Sequence, residues 1–444
     1  MYFLRAAAIA GICLFSNAAR AQIVGNNAFL RGQYLEVGIG GLGYFGSDSA
    51  APAGFHPHCS ACINHNAVGF VADPGMTSWD TSSTSHYMGD YFLPGSPFEG
   101  WELQVDGKRC QGYHKMWSSY GFGVSGGMGA CTGSVLSYAA SGSTVSATWQ
   151  GSADSITITQ VTSLDTTALY FKVQVTLTNM AVAPKNNIYY FRSLDPDNDQ
   201  SWPGGSFPTH NMVEHQMPDT FNVSLVSATG MSSSSAYMAL GSVDTASRVM
   251  IYNCWYLDSN QDLADVYNQV YGSGGCGAFY DEGVDHFGDI GIGLTINVPH
   301  LATLDSAGDS VYRTTAGTTL HPANTATFTY FYAFGHAAVD SAIRHTGVTT
   351  SGGGTVTLGI NNVNNAADIK VYPNPSKDIF YVSGLSLSDH LSLYDMMGRN
   401  CCNLIVKTEG TNTFSYNDLP TGAYILIVSD AGGNVKTRVP VRKQ

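Results

Sequence analysis

Two-residue alternation of apolar and polar positions is the dominant pattern along the chain. In 169–179, Leu169, Phe171, Val173, Val175 and Leu177 alternate with Tyr170, Lys172, Gln174, Thr176 and Thr178. A period of two sustained over that length predicts a strand with one buried face. Comparable runs lie at 153–161, 187–194, 222–229, 247–253, 290–298 and 325–334. Helical periodicity is weak and confined to 261–270 and 336–344. No internal repeat of 20–50 residues is present, which argues against solenoids and propellers. The segment 22–345 therefore reads as all-β: one large antiparallel β-sandwich, or two smaller ones packed together.

The pattern changes towards the C-terminus. Residues 346–367 are rich in Gly, Thr and Asn and poor in charge, the composition of a linker, with one candidate strand at 355–360. Beyond it, Pro373 and Pro375 bracket a turn that no helix would tolerate. Ile379, Tyr381, Leu391, Leu393, Tyr424, Leu426 and Val428 then supply short alternating strands, predicting a small antiparallel sandwich of about seven strands over 368–444. At the other end, Arg5 precedes an apolar run from Ala6 to Phe15, and Ala19-Arg20-Ala21 places small residues at a cleavage position. Residues 1–21 thus read as a secretory signal peptide, with the mature chain expected to start at Gln22. No later stretch approaches the ~18 apolar residues of a membrane-spanning helix, so an integral membrane protein is not expected.

The C-terminal segment carries three motifs in order: Tyr372-Pro373-Asn374-Pro375, then Leu393-Tyr394-Asp395 with Gly398-Arg399, then Leu419-Pro420-Thr421-Gly422-Ala423-Tyr424, followed by a basic tail. Residues 368–444 resemble the type A C-terminal sorting domain of cargo for the type IX secretion system of Gram-negative bacteria. The resemblance implies that the outer-membrane secretion machinery is a partner, and that the body is delivered to the cell surface or released. Segments 175–199 and 329–336 are similar to a group of poorly characterised secreted bacterial β-modules, which implies shape and location but no activity.

Composition sharpens this division. Charged residues make up only 12% of the 444-residue chain, so polarity comes from Ser, Thr, Asn and Gly. Residues 22–367 carry 10 Lys and Arg against 26 Asp and Glu, whereas 368–444 carry 8 against 7. An acidic body with so few cations excludes a nucleic-acid binder. Cys13 leaves with the signal peptide. In an exported chain the others are expected to pair, and pairing by proximity joins Cys59–Cys62, Cys110–Cys131 and Cys254–Cys276. The vicinal Cys401 and Cys402 have no evident role.

Two clusters carry candidate chemistry. His56, His58, Cys59, Cys62 and His65 could supply the imidazoles and thiolates of a zinc site, although a Cys59–Cys62 disulfide in a His-bearing loop is the simpler reading. Asp195-Pro196-Asp197-Asn198-Asp199 follows a predicted strand, and alternate carboxylates on a turn suit a hard cation such as calcium. The EF-hand pattern fails, since Gln200 stands where Gly is required and Ser206 where Glu is. Asp281, Glu282 and Asp285 are conceivable distant ligands. Three motif matches are set aside. Gly38–Gly43 fits a dinucleotide fingerprint with no helix after it, Gly123–Gly127 fits a nucleophile elbow without its α/β frame, and His210–His215 has the wrong spacing for a zinc protease. Among the tryptophans, Trp79 and Trp202 fall in predicted loops where exposure would suit contact with sugar rings.

The sequence thus predicts an exported β-sandwich protein whose body acts as a non-catalytic binding, adhesive or structural module for a glycan or surface-protein ligand. The alternative is a glycan-active hydrolase, which would need two carboxylates about 5–10 Å apart; Asp195, Asp197, Glu214, Asp281 and Glu282 are its candidates.

Overall fold

The computed structural model describes residues 21–56, 67–80, 89–92, 99–113, 131–200, 206–218, 221–231, 236–254, 261–270, 276–298, 302–304, 310–312, 319–320, 324–346, 369–374, 376–395, 400–415, 417, 419–429 and 435–443. The chain divides into two compact units, Met1–Thr350 and Ser351–Gln444. Both are all-β, as the alternation predicts.

Two large antiparallel sheets build the first unit. The nine-stranded sheet runs, in spatial order, Asp285–Gly288, Thr209–His215, Ser224–Gly230, Tyr237–Ser242, Thr325–Ala333, Tyr170–Asn179, Ile156–Asp165, Thr144–Ala153 and Thr132–Ser141. The six-stranded sheet runs Ala278–Phe279, Ser247–Tyr252, Gly291–Val298, Ile188–Leu194, Glu99–Val105 and Lys108–Tyr113. A five-stranded sheet spans Ala21–Val24 to Gly89–Asp90. The strand Tyr170–Asn179 buries Phe171, Val173, Val175 and Leu177. Its register sets them beside Tyr332, Tyr330, Phe328 and Ala326 on the same face. Across the sandwich, Tyr190 meets Phe328 with ring centroids 4.9 Å apart, and Trp101 meets Trp149 at 5.6 Å. Each such aromatic removes a large apolar area from water, which is the main term holding the sheets together.

The strand Ile188–Leu194 is buried almost throughout because the six-stranded sheet is covered on both faces. On its outer side Phe191, Met250 and Tyr252 pack with Leu263 and Val266 of the helix Leu263–Tyr267. Asp262 caps that helix by accepting from Ala264 N at 2.8 Å. Gln104 holds the same end, donating to Asp262 Oδ1 and accepting from Leu263 N. The helix His336–His345 buries Ala338, Val339 and Ala342 against the nine-stranded sheet.

The glycine run at 38–43 proves to be a packing device. A Cβ at Gly40 would stand 2.0 Å from the Tyr44 ring, and one at Gly43, where φ is +77°, 2.8 Å from Trp149. Only glycine permits such close approach with that backbone. The carbonyls of this turn accept from Trp149 Nε1 (Gly41), Trp101 Nε1 (Leu42), and Gln160 Nε2 and Arg192 Nη1 (Gly43). The disulfides Cys110–Cys131 and Cys254–Cys276 form as expected, closing separations of 21 and 22 residues. In the chain-entropy account each adds about 3 kcal/mol. Cys59 and Cys62 lie outside the described residues, as does the candidate strand at 355–360.

In the second unit seven strands form a three-stranded sheet, Lys370–Tyr372, Ile379–Leu385 and Gly410–Ser415, and a four-stranded one, Asn400–Ile405, His390–Asp395, Gly422–Ser429 and Val435–Lys443. Phe380, Val382, Leu391, Leu393, Leu426 and Val428 are at its core. Cys401 and Cys402 sit partly buried beside that core.

Candidate functional site

Pro196 stops the strand Ile188–Leu194, since it has no N–H for the ladder, and the chain turns through Asp195–Asp199. The turn is tightly anchored. Asp197 N donates to Tyr91 O at 3.0 Å, and Asn198 Nδ2 donates to Ala228 O and Ala236 O at 2.9 and 2.7 Å. Asp195 and Asp197 are at most 1% exposed. With Asp289, each offers a carboxylate oxygen, and the three oxygens lie within 4.8 Å of one another. Asp195 Oδ1 and both oxygens of Asp197 are buried without any hydrogen-bond donor. Burial first, and then the neighbouring carboxylates, push the pKa values of Asp195 and Asp197 well above the ordinary carboxylate range. Burial also raises the pKa of Asp289.

The expected trio is thus reshuffled. Asp199 stands apart, with its carboxylate against the backbone of Gly230, and Asp289 takes the third place. The other acidic residues proposed as distant ligands are engaged elsewhere. Asp281 Oδ2 is 3.5 Å from His286 Nε2, Glu282 Oε1 accepts from Gln216 N, and Asp285 Oδ2 contacts His210 Nδ1 at 2.8 Å. Sequence reasoning missed Asp289, whose signal is an acid between two glycines, Gly288 and Gly291, on a turn one residue from a strand. Of the zinc candidates, His58, Cys59, Cys62 and His65 lie outside the described residues. His56 gives Nδ1 to Glu36 Oε1 at 2.9 Å and stacks on half-buried Trp79 with centroids 4.2 Å apart. Trp202 and Gly123–Gly127 are likewise outside the described residues.

A second constellation occupies the outer face of the nine-stranded sheet. Cross-strand register places Phe287 beside His210 and Asp285 beside Met212. Phe287 is 53% exposed, and its ring centre is 4.9 Å from that of His210. Beyond the bulge after Val213, the rings of His215 and exposed Phe221 meet at 4.1 Å. Tyr237 packs at a tilt against exposed His336, with ring centres 3.9 Å apart, and donates to Glu214 Oε1 at 2.9 Å. Burial and the Glu214 carboxylate push the Tyr237 phenol well above its usual range, so it stays a neutral donor. The result is a face of the sheet that bears aromatic rings between imidazoles and carboxylates.

In the second unit, sequence motifs far apart in the chain converge. Asn374 Oδ1 accepts from Arg442 N, and Ser376 N donates to Arg442 O. Lys443 Nζ donates to Asn417 O and Leu419 O, while Tyr424 Oη donates to Pro420 O. Tyr372, preceding Pro373, stacks on Tyr381 at 5.7 Å. Gly422, Tyr394 and Asp395 lie on paired strands. Pro375, Gly398 and Arg399 lie outside the described residues.

Residues 370–442 match the model of the secretion system C-terminal sorting domain. No curated protein sequence matches the chain. Among solved structures, a polysaccharide lyase is similar over 95% of this chain and 47% of its own, at 10% identity and a TM-score of 0.29. The galactosidase domain of an α-galactosidase–sucrose kinase is similar over 73% and 44%, at 10% identity and a TM-score of 0.28. PorZ, a surface component of the type IX secretion system of Porphyromonas gingivalis, is similar over 96% and 59%, at 11% identity and a TM-score of 0.16. The chain spans about half the length of these structures. The sorting domain makes the chain cargo of the type IX system, exported to the cell surface or beyond. Among the described residues no helix is long and apolar enough to cross a membrane.

Proposed function

We propose that the body of this exported chain is a non-catalytic glycan-binding module, with the outer face of the nine-stranded sheet as its contact surface. The observation that carries the reading is the exposed Phe287, set against His210 and beside Asp285 on a regular two-strand register. Sugar rings stack on aromatic faces, and their hydroxyls bond to imidazoles and carboxylates. A rigid sheet supplies both without ordering cost. Hydrolysis asks for two reachable carboxylates about 5–10 Å apart. Asp195 and Asp197 are instead buried and closer together, and Glu214 is engaged by Tyr237.

A glycan array probed with the exported chain tests this, with Phe287→Ala and His210→Ala as controls. Binding without product release, weakened about tenfold or more by Phe287→Ala, is expected. Released product would favour a hydrolase instead. Binding left intact in both variants would remove this face from the account.

A further inference from the structure

We propose that Asp195, Asp197 and Asp289 form a calcium site, which ties the turn after Ile188–Leu194 to the turn between Asp285–Gly288 and Gly291–Val298. The proximity of three acids is only part of the case. Asp197 is fully buried, and neither of its oxygens meets a donor; Asp195 Oδ1 is in the same condition. Buried polar atoms are nearly always satisfied, so each exception calls for a missing partner. Here the missing partner must satisfy several oxygens converging within 4.8 Å, which a single cation does and a single hydrogen-bond donor does not.

The donor set selects the ion. All three groups are hard carboxylate oxygens, with no sulfur or imidazole among them, which favours calcium or magnesium over zinc. Two of the ligands are fixed on an anchored turn and the third is an exposed side chain, Asp289. Such a partly rigid, partly open arrangement suits the flexible coordination of calcium, completed by water, more than the strict octahedron of magnesium. Location agrees, because exported modules meet calcium at concentrations that allow weak sites of about 10⁻⁴–10⁻³ M to fill. The ion would join strands of both large sheets at one end of the sandwich, since Asp285–Gly288 belongs to the nine-stranded sheet and its two partners to the six-stranded one. A shared-proton carboxylate pair is the competing way to quench the charge.

The test uses the full chain freed of metal. Terbium luminescence, displaced by added calcium, reads binding directly, and thermal unfolding with calcium, magnesium or chelator reads its consequence. One site per chain is expected, with a higher Tm in calcium than in magnesium or chelator. Asp289→Asn, at an exposed position, should fold normally and bind at least about tenfold more weakly. Asp197→Asn should abolish the calcium response and, in chelator, melt no lower than the parent chain, because an amide of the same shape brings no charge to bury. Identical melting of the parent chain in calcium and chelator, with no terbium uptake, would overturn the site and leave the shared-proton arrangement. So would an Asp289→Asn variant that titrates like the parent.

Discussion

Asp90 shows how a single buried acid can set the pH response of the five-stranded sheet. It is fully buried, and its oxygens accept from Gly69 N and Phe70 N at 2.6 and 2.7 Å. Burial outweighs these bonds and raises its pKa to about 7. In the unfolded chain the same group ionises near ~3.9. The folded state therefore keeps a proton that the unfolded state has lost. The contribution is fully present below about pH 4, falls as pH rises, and is gone above about pH 7, a loss of roughly 4 kcal/mol at most. Urea unfolding at pH 5 and pH 8 should show the parent chain losing more stability across this interval than Asp90→Asn, which cannot ionise. Equal losses would remove Asp90 as the cause. The acidic turn shows the limit of reading at this scale. Asp195 and Asp197 were legible as a pair because alternate residues on one turn converge. Asp289 was not, because ninety intervening residues must fold before the two turns meet.

At the scale of strands, the sandwich is joined by a buried ion pair as well as by aromatic rings. Arg192 and Glu99 lie on neighbouring strands, are wholly buried, and meet through two bonds of 2.6 and 2.8 Å. Tyr332 of the opposite sheet donates to the same carboxylate, Phe45 N donates to its other oxygen, and the guanidinium rests 4.4 Å from the Phe45 ring centre. Removing one partner strands a charge in the core, so Glu99→Ala is expected to cost about 3–5 kcal/mol, read by denaturant unfolding. A cost below about 1 kcal/mol would mean that the surroundings relax to solvate Arg192. Alternation made the strands legible, and Phe171, Val173, Val175 and Leu177 are buried as that pattern requires. It could not reveal strands covered on both faces, such as Ile188–Leu194, whose outer side is hidden by a helix distant in sequence. The glycine run at 38–43 matched a nucleotide fingerprint only in spelling; its glycines make room for Tyr44 and Trp149, contacts invisible in one dimension.

For the whole molecule, the two units divide the work. The sorting unit was readable because its motifs are residues that hold its own strands together: Asn374 and Leu419 secure the last strand through Arg442 and Lys443. The function of the body was less readable, since the proposed contact face is assembled from single residues on three strands, a turn and a helix. Its outer-face rings and its aspartate trio share the strand Asp285–Gly288 and the turn after it, so the two proposals meet at one end of the sandwich.

The most direct measurement is the location of the body when residues 370–442 are deleted in a host with a type IX system. The account predicts that the deleted form accumulates inside the outer membrane while the intact chain reaches the surface or medium. A deleted form found outside in the same amount as the intact chain would contradict it.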